Sequence, residues 1–430
     1  MRRHVKQLFA GALLLVALAS AVVWRNLEGE AELLPDPPPG ATEAGDLASA
    51  SLIARGAYLA RAGNCAACHT ERGGAAYAGG RGVETPFGTV YAGNLTPDPA
   101  TGLGRWTGAE FWRALHHGRS RDGRLLTPAF PYPNFTLVTR ADADALLAFL
   151  RSLPPVVRAN RAAALHWPFD SRIALALWRA LYFTPGSFRP DLRQDAEWNR
   201  GAYLVNGLGH CSACHAARNL LGASGALADH DAGSRLPGQR WLAPSLANPA
   251  ESGAVSGPRA ELVALLKTGQ SARSAVLGPM AEVVAGSTQH LSDADLQAMA
   301  SYLQSLPRPP ATGQGDSGHA TERRADTLAR GAELYTRHCA DCHGAQGQGA
   351  PGIYPALAGN PVVTMAEARN LVQAITAGGF PPGTAGNPRP YGMPGFDLPH
   401  ADLAALTTWL RSAWTHDASP LSEVDMLRLR

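Results

Sequence analysis

Cys65-Ala-Ala-Cys-His69 decides the fold of this chain, and it recurs as Cys211-Ser-Ala-Cys-His215 and Cys339-Ala-Asp-Cys-His343. The three pentapeptides contain all six cysteines of the 430 residues. Cys-x-x-Cys-His is the signature of covalent c-type haem attachment. Two thiols one helical turn apart can add to two vinyl groups on one haem edge, and the histidine that follows is then placed under the iron as its proximal ligand. The sequence therefore predicts three covalently bound haem c groups.

Other uses of paired cysteines fit this pattern less well. A structural zinc site needs a second ligand pair at close range, but the nearest other cysteines are more than 100 residues away. A thioredoxin-like motif is expected once, near a βαβ pattern. Disulfide bonds in an exported protein do not explain a histidine at the same place three times. The residues predicted to hold haem are Cys65, Cys68, His69, Cys211, Cys214, His215, Cys339, Cys342 and His343.

The N-terminus predicts export. A basic segment, Met1–Lys6, precedes an apolar run, Leu8–Trp24, which is the pattern of a signal peptide. Ala19-Ser20-Ala21 is a candidate cleavage site. The run is also just long enough to span a membrane, and it ends in Trp24, a residue favoured at membrane interfaces. Both interpretations stay open for residues 1–27. We favour the anchor, which places the rest of the chain at the periplasmic face of the bacterial inner membrane.

Two further segments repeat with the pentapeptides. An Arg-Gly-Ala triplet in a helical pattern precedes each of them, and a helix with apolar residues at helical spacing closes each unit. The triplets are Arg55-Gly-Ala57, Arg200-Gly-Ala202 and Arg330-Gly-Ala332, and the closing helices are predicted over Ala141–Ser152, Ser292–Ser305 and His400–Ala413. A glycine inside a helical pattern is a close-packing signal. We therefore expect the closing helix of each unit to cross the first helix at this glycine.

The predicted fold class is mostly α, with three tandem class I-like cytochrome c domains behind a signal peptide or membrane anchor. The Pro/Gly-rich segments are predicted linkers, whereas an apolar, aromatic segment between the first two domains is predicted to be packed. The boundaries are 1–27 signal peptide or anchor, 28–46 linker, 47–156 first domain, 157–195 packed connector, 196–306 second domain, 307–327 linker, 328–416 third domain and 417–430 tail.

A methionine before the closing helix is the expected sixth iron ligand in two domains. Met393 lies 50 residues after His343, and Met280 lies 65 residues after His215. A methionine ligand raises the reduction potential of the iron. Their rivals, Met365 and Met299, have the positions of packing residues.

The first domain contains no methionine, and Phe130 occupies the matching place, 61 residues after His69. Phenylalanine cannot bind iron. His117 or His116 is the candidate ligand, and bis-histidine ligation would give a lower potential than Met/His ligation. Two alternatives stay open: an open or water-ligated iron, and histidines that only complement the negative end of a helix dipole.

The chain resembles the triheme cytochrome c subunits of membrane-bound alcohol and aldehyde dehydrogenases. The same family serves gluconate and sorbitol dehydrogenases and molybdenum hydroxylases of the isoquinoline or nicotinate type. The resemblance covers Arg55 to Leu410. It is carried by Arg55-Gly-Ala-Tyr-Leu-Ala60, Phe87-Gly-Thr-Val-Tyr91, Asn94-Leu-Thr-Pro-Asp98, Gly102-Leu-Gly-Arg-Trp106, Gly278-Pro-Met-Ala-Glu-Val283 and Tyr354-Pro-Ala-Leu-Ala-Gly-Asn-Pro361.

This resemblance implies three cytochrome c folds that accept electrons from a separate catalytic dehydrogenase subunit. It also implies that they pass these electrons to membrane ubiquinone or a terminal oxidase. Phe130 departs from the family, in which many members have methionine in a Pro-x-Met-Pro-Tyr context. The departure weakens the case for a quinoprotein alcohol dehydrogenase as partner, and we favour a molybdenum-hydroxylase or aldehyde-oxidising partner.

The predicted function is electron transfer, without catalytic residues of its own. The chain carries no flavin, quinone or nicotinamide fingerprint. One alternative is a haem enzyme, a peroxidase or small-molecule redox enzyme, that uses an open first haem. Another is a tethered shuttle between respiratory complexes. A net charge of +3 without a basic block and interleaved aromatic residues gives no indication of a nucleic-acid partner.

Overall fold

The computed structural model describes residues 2–28, 49–229, 233–308 and 325–429. These residues are mostly helical, as predicted, and form two compact units. The predicted linkers 28–46 and 307–327 lie almost entirely outside the described residues. Unit one is the described part of Met1–Arg189 with Asn206–His210 and Leu220–Ala223, and unit two is the described part of Pro190–Val205, Cys211–Asn219 and Ser224–Arg430.

Unit one contains the first predicted haem domain and the segment that follows it. Its elements are α1 Arg2–Glu28, α2 Ala50–Ala62, α3 Cys65–His69, β1 Gly82–Thr85, β2 Gly88–Tyr91, α4 Gly108–His117, α5 Tyr132–Phe135, α6 Arg140–Ser152, β3 Ala164–Leu165 and α7 Arg172–Tyr182. The strands form one antiparallel sheet in the order β1-β2-β3. Because β3 pairs with β2, with Gly88 opposite Leu165, the segment after the first domain packs back onto that domain.

The N-terminal apolar run forms α1, a single helix of 27 residues. In the described ranges, no helix combines the length and the apolar character that are needed to cross a membrane. The anchor predicted over residues 1–27 is therefore not shown by the structure.

Unit two contains the second and third predicted haem domains. Its elements are α8 Ala196–Asn206, α9 Ser212–His215, β4 Ser234–Arg235, β5 Leu242–Ala243, α10 Gly253–Ser256, α11 Arg259–Thr268, α12 Pro279–Gly286, a 3-10 turn Thr288–His290, α13 Asp293–Gln304, α14 Ala325–His338, α15 Ala340–His343, α16 Pro361–Thr364, α17 Arg369–Ala377, α18 His400–Leu410 and α19 Glu423–Leu429. Strands β4 and β5 pair antiparallel.

The predicted helix crossing is present in all three domains. A β-carbon built on Gly56 would lie 1.9 Å from the carbonyl oxygen of Ala145 in α6. On Gly201 it would lie 1.9 Å from the carbonyl oxygen of Ala298 in α13. On Gly331 it would lie 2.4 Å from the carbonyl oxygen of Ala405 in α18. Only glycine lets the backbones of these helix pairs approach so closely.

An ion pair that the sequence did not predict reinforces each crossing. The arginine before each glycine binds an aspartate in the first turn of the closing helix. The pairs are Arg55 with Asp142, Arg200 with Asp295, and Arg330 with Asp402, at 2.5, 2.8 and 2.7 Å. The aspartate side chains are the more buried partners, and Asp142 is 2% exposed. Each crossing therefore combines a glycine, which lets the helices approach closely, with an Arg–Asp ion pair beside it.

The cores of the first and third domains lie between their first and last helices. In the first domain, Leu59 of α2 packs with Leu146 and Leu147 of α6. In the third, Leu334 of α14 packs with Leu403 and Leu406 of α18. Cys65 and Cys339 contact these cores, so each attachment motif is anchored beside a helix crossing.

Candidate haem sites

The three attachment motifs lie on short helices at equivalent places, directly after the first helix of each domain. Helix α3 spans Cys65–His69, and α9 and α15 end at His215 and His343. None of the six cysteines forms a disulfide bond. Burial raises the pKa of Cys65 and Cys211 to about 12.

Each motif histidine is held by a backbone carbonyl from a loop further along the chain. The ring Nδ1 lies 2.7 Å from the oxygen of Gly93 for His69, and 2.7 Å from that of Pro244 for His215. For His343 it lies 2.9 Å from the oxygen of Pro355. Because a carbonyl can only accept, Nδ1 must carry the proton.

The same arrangement prepares Nε2 for a metal. Desolvation by burial lowers the pKa of His69, His215 and His343 from its ordinary value, so the rings stay neutral. A neutral ring that is protonated on Nδ1 presents its lone pair on Nε2, which is the usual state of a histidine ligand oriented by an outer hydrogen bond. The donor set, two thiols and one oriented imidazole in each domain, fits haem c.

The three carbonyl partners were not predicted, although the sequence contains a signal for them. Each partner precedes a leucine by two residues, in Gly93-Asn-Leu95, Pro244-Ser-Leu246 and Pro355-Ala-Leu357. The first and third of these segments overlap motifs that carry the family resemblance. A comparison of the three repeats would have aligned them.

The structure separates the candidate methionine ligands from the packing methionines. Met365 and Met299 are 1% and 4% exposed and belong to buried cores. Met280 and Met393 are only partly buried. The backbone of Met393 exchanges two hydrogen bonds with Gly379, at 2.8 and 3.0 Å. It also packs against the core beside Cys339. Both remain the predicted sixth ligands.

Phe130 and Met280 occupy the same place in their domains. Gly118 caps the C-terminus of α4 and Gly269 that of α11, both in the left-handed conformation. The carbonyl of each glycine accepts a 2.8 Å hydrogen bond, from the N–H of Leu126 and of Val276 respectively. Phe130 and Met280 each follow four residues later. The Phe130 ring packs against the first core.

His116 and His117 form the last turn of α4. The His116 ring, which is 7% exposed, stacks on Trp112 at 4.1 Å. His117 meets the same indole edge-on at 5.6 Å, and its carbonyl accepts a hydrogen bond from Arg179 of α7. The pair is thus held in an aromatic cluster at the start of the loop that leads to Phe130. The assignment of either ring to the first iron stays a prediction.

Comparison with known proteins identifies the family. The cytochrome c family profile matches residues 53–154, 199–307 and 328–414. The cytochrome c subunit of alcohol dehydrogenase (quinone) from Gluconacetobacter polyoxogenes is 39% identical over 400 residues, which cover 89% of this chain and 85% of the relative. The gluconate 2-dehydrogenase cytochrome c subunit of Pantoea cypripedii is 36% identical over 403 residues, 90% and 91% of the two chains. One of the nicotinate dehydrogenase subunits of Pseudomonas putida is 40% identical over 406 residues, 93% of this chain and 33% of the longer relative.

The chain belongs to the cytochrome c family, whose domains bind haem c covalently. The predicted resemblance to the cytochrome c subunits of dehydrogenase complexes is confirmed. So is the prediction of an electron-transfer subunit that is not the catalytic one.

Proposed function

We propose that this chain is a triheme electron-transfer subunit at the periplasmic face of the inner membrane. It accepts electrons from a separate catalytic dehydrogenase subunit and delivers them to ubiquinone or a terminal oxidase. The observation that carries the proposal is the threefold repeat of a Cys-x-x-Cys-His helix whose histidine is oriented by a backbone carbonyl.

Each domain supplies the protein side of a one-electron carrier. Haem c, when bound, supplies reversible one-electron exchange at its iron. In each domain two thiols would attach it and one neutral imidazole would ligate its iron, and Met280 and Met393 would supply a second ligand in two domains.

Association with the membrane surface is supported by α7. Ile173, Leu177 and Leu181 share one helix face at a spacing of four residues, and they are 57%, 36% and 67% exposed. Trp167, just before this helix, is 83% exposed. A helix that presents apolar side chains to solvent beside an exposed tryptophan suits the boundary between lipid headgroups and acyl chains.

The comparisons support a dehydrogenase partner but do not separate its classes. Identities to subunits of a quinone alcohol dehydrogenase and a nicotinate dehydrogenase are 39% and 40%. We retain the partner favoured by Phe130, an aldehyde-oxidising or molybdenum-hydroxylase subunit.

Isolation of the native complex tests this function. The full-length chain, tagged at its C-terminus, is purified from membranes and the accompanying subunit is identified. We expect the haems to be reduced only when the catalytic subunit and its substrate are both present, and to be reoxidised by a ubiquinone analogue. Peroxide turnover by the isolated chain, with a high-spin ferric fraction of one haem in three, would instead favour the haem-enzyme alternative. Purification without any catalytic subunit would favour the shuttle.

Substituting leucine for the candidate methionine ligands should alter one haem at a time. Met280→Leu and Met393→Leu are each expected to make one haem high-spin and to lower its midpoint potential, because methionine ligation raises the potential. Optical and EPR spectra with redox titration measure both effects. Met299→Leu and Met365→Leu make the same chemical change in the core and should leave all haem spectra unaltered. A spectrum that stays normal in Met280→Leu or Met393→Leu removes that residue from the ligand set.

Two substitutions test the first haem. We expect either His116→Ala or His117→Ala to convert the first haem from low spin to high spin, because the iron loses a strong nitrogen ligand. His166→Ala, at an exposed position outside the haem domains, is the control. If neither substitution changes the EPR spectrum of the first haem, the bis-histidine hypothesis is wrong.

A further inference from the structure

Asn370 of the third domain binds the backbone of the second domain in both directions. Its amide oxygen accepts a hydrogen bond from the N–H of Leu242 at 2.9 Å, and its amide nitrogen donates to the carbonyl of Leu242 at 2.8 Å. Asn370 is 8% exposed and Leu242 6%. The Asn370 amide thus pairs with both backbone polar groups of Leu242, the first residue of β5, as a residue of a neighbouring strand would. Both residues belong to unit two.

The segment held by Asn370, Trp241–Pro244, contacts His215 on one side and the residues just before Met280 on the other. Two residues after Leu242, the carbonyl of Pro244 accepts the hydrogen bond from His215 Nδ1 at 2.7 Å. On the other side, the Trp241 indole packs against Gly278, where a β-carbon would lie 2.6 Å from the ring. Gly278 precedes the candidate ligand Met280 by two residues. Trp241–Pro244 therefore connects the carbonyl that orients His215 to the N-terminus of α12, which carries Met280.

The other two domains use the equivalent helix position differently. Asn370 lies eight residues before Gly378, which caps α17, and Glu261 and Glu110 lie eight residues before the capping glycines of α11 and α4. Glu110 closes the N-terminal capping box of its own helix, and Glu261 pairs with Arg273 at 3.0 Å. These are local contacts within one domain. Only the third domain has a buried amide at this position. A glutamate there would place a carboxylate against the Leu242 carbonyl, to which it cannot donate a hydrogen bond.

We propose that Asn370 is a positioning residue for the second haem site, although it lies in the third domain. Its two hydrogen bonds fix Leu242, and Pro244 has a ring-locked φ angle, so the carbonyl that orients His215 has little freedom. A well-aligned bond from Nδ1 to this carbonyl makes the histidine a stronger electron donor, which favours ferric iron. Loss of the clamp loosens the carbonyl and favours the ferrous state. The inference rests on the proposed function, which places haem c on Cys211 and Cys214.

Redox titration of the full-length protein with Asn370→Ala and Asn370→Leu tests the proposal. Leucine keeps most of the buried volume and covers the case in which alanine impairs folding. The signals of the second haem are those that change in Met280→Leu. We expect the ratio of reduced to oxidised second haem, at a fixed ambient potential, to rise about tenfold, at the lower end of outer-shell effects on metal sites. The third haem should keep its midpoint potential, although Asn370 belongs to its domain.

Two matched controls separate this role from general packing. Asn360→Ala removes a buried amide that donates at 3.0 Å to Ala356, next to the Pro355 carbonyl that holds His343. It should change the midpoint potential of the third haem and not that of the second. Arg235→Gln removes only the exposed ion pair between Arg235 and Glu367, at 2.8 Å, which joins the same two domains. It should leave the midpoint potentials of both haems unchanged.

Three outcomes have distinct meanings. If the midpoint potential of the second haem is unchanged in both Asn370 variants, the inference is wrong and the proposed function stands. An equal shift in Arg235→Gln also overturns it, because contact between the domains in general would then be responsible. Wild-type protein without haem on Cys211 and Cys214 contradicts the proposed function itself.

Discussion

Alanine at position 201 is expected to destabilise the second domain strongly. The new β-carbon would lie 1.9 Å from the carbonyl oxygen of Ala298 and 2.5 Å from its carbon, whereas favourable carbon–oxygen contacts begin at about 3.3 Å. Both neighbours are backbone, so no side chain can rotate away. Helices α8 and α13 must separate, which also pulls Arg200 from Asp295. Overpacking costs about 1–3 kcal/mol and sometimes more, and we expect a loss of stability at or beyond the upper end.

Chemical denaturation of purified Gly201→Ala, followed by circular dichroism and haem absorbance, measures the effect. Gly386→Ala is the control in the same unit, because its nearest atom would lie at 3.5 Å, an ordinary contact. Gly331→Ala should be damaging but milder, since its closest approach is 2.4 Å. A Gly201→Ala protein as stable as Gly386→Ala would show that the crossing is looser than the structure indicates.

The double substitution Cys211→Ala with Cys214→Ala should lower the haem content from three to two per chain. No other cysteine in the sequence can replace the lost thiols, and noncovalent haem held by His215 alone is removed by denaturing extraction. The pyridine haemochrome assay on denatured protein gives the count directly. We also expect proteolysis to become concentrated within residues 199–307, because a haem c domain that lacks its haem loses the group that its core packs around.

The equivalent double substitutions in the first and third motifs provide the comparison. Each should remove one haem, and all three together should leave none. A wild-type count of two, or a count that does not change in one of the double variants, would contradict the triheme assignment.

The repeated features of this fold could be predicted from the sequence because each appears three times. The glycine crossing followed from one glycine at the same place in three helical patterns, and the haem ligands followed from three identical spacings. The closing helices also agree closely with prediction, except that α18 ends at Leu410 and not at Ala413. Beyond Leu410 the chain turns so that the buried guanidinium of Arg411 can donate to the carbonyls of Val363 and Met365.

Contacts between distant residues were beyond the sequence for a physical reason. The carbonyl that orients His69 is 24 residues away, and Asn370 is 128 residues from Leu242. The carbonyl partners share only a leucine two residues later, which appears when the three repeats are aligned, and a single asparagine in a helix has no pattern that identifies its partner. The β1–β2 hairpin was also missed, because its strands are four residues long and their burial alternates only weakly.

The residues that hold the first and last helices of a domain together differ from the residue proposed to set the reduction potential of its haem. Glycine, arginine and aspartate of the two terminal helices hold the domain together, whereas Phe130 and Met280, at the position proposed for the sixth ligand, lie outside that helix pair. We therefore expect a substitution at that position to change the driving force of one electron-transfer step without breaking the glycine crossing or its ion pair. Phe130 stands where the second domain has Met280, and if that position supplies the sixth ligand, single substitutions there give three similar domains different potentials.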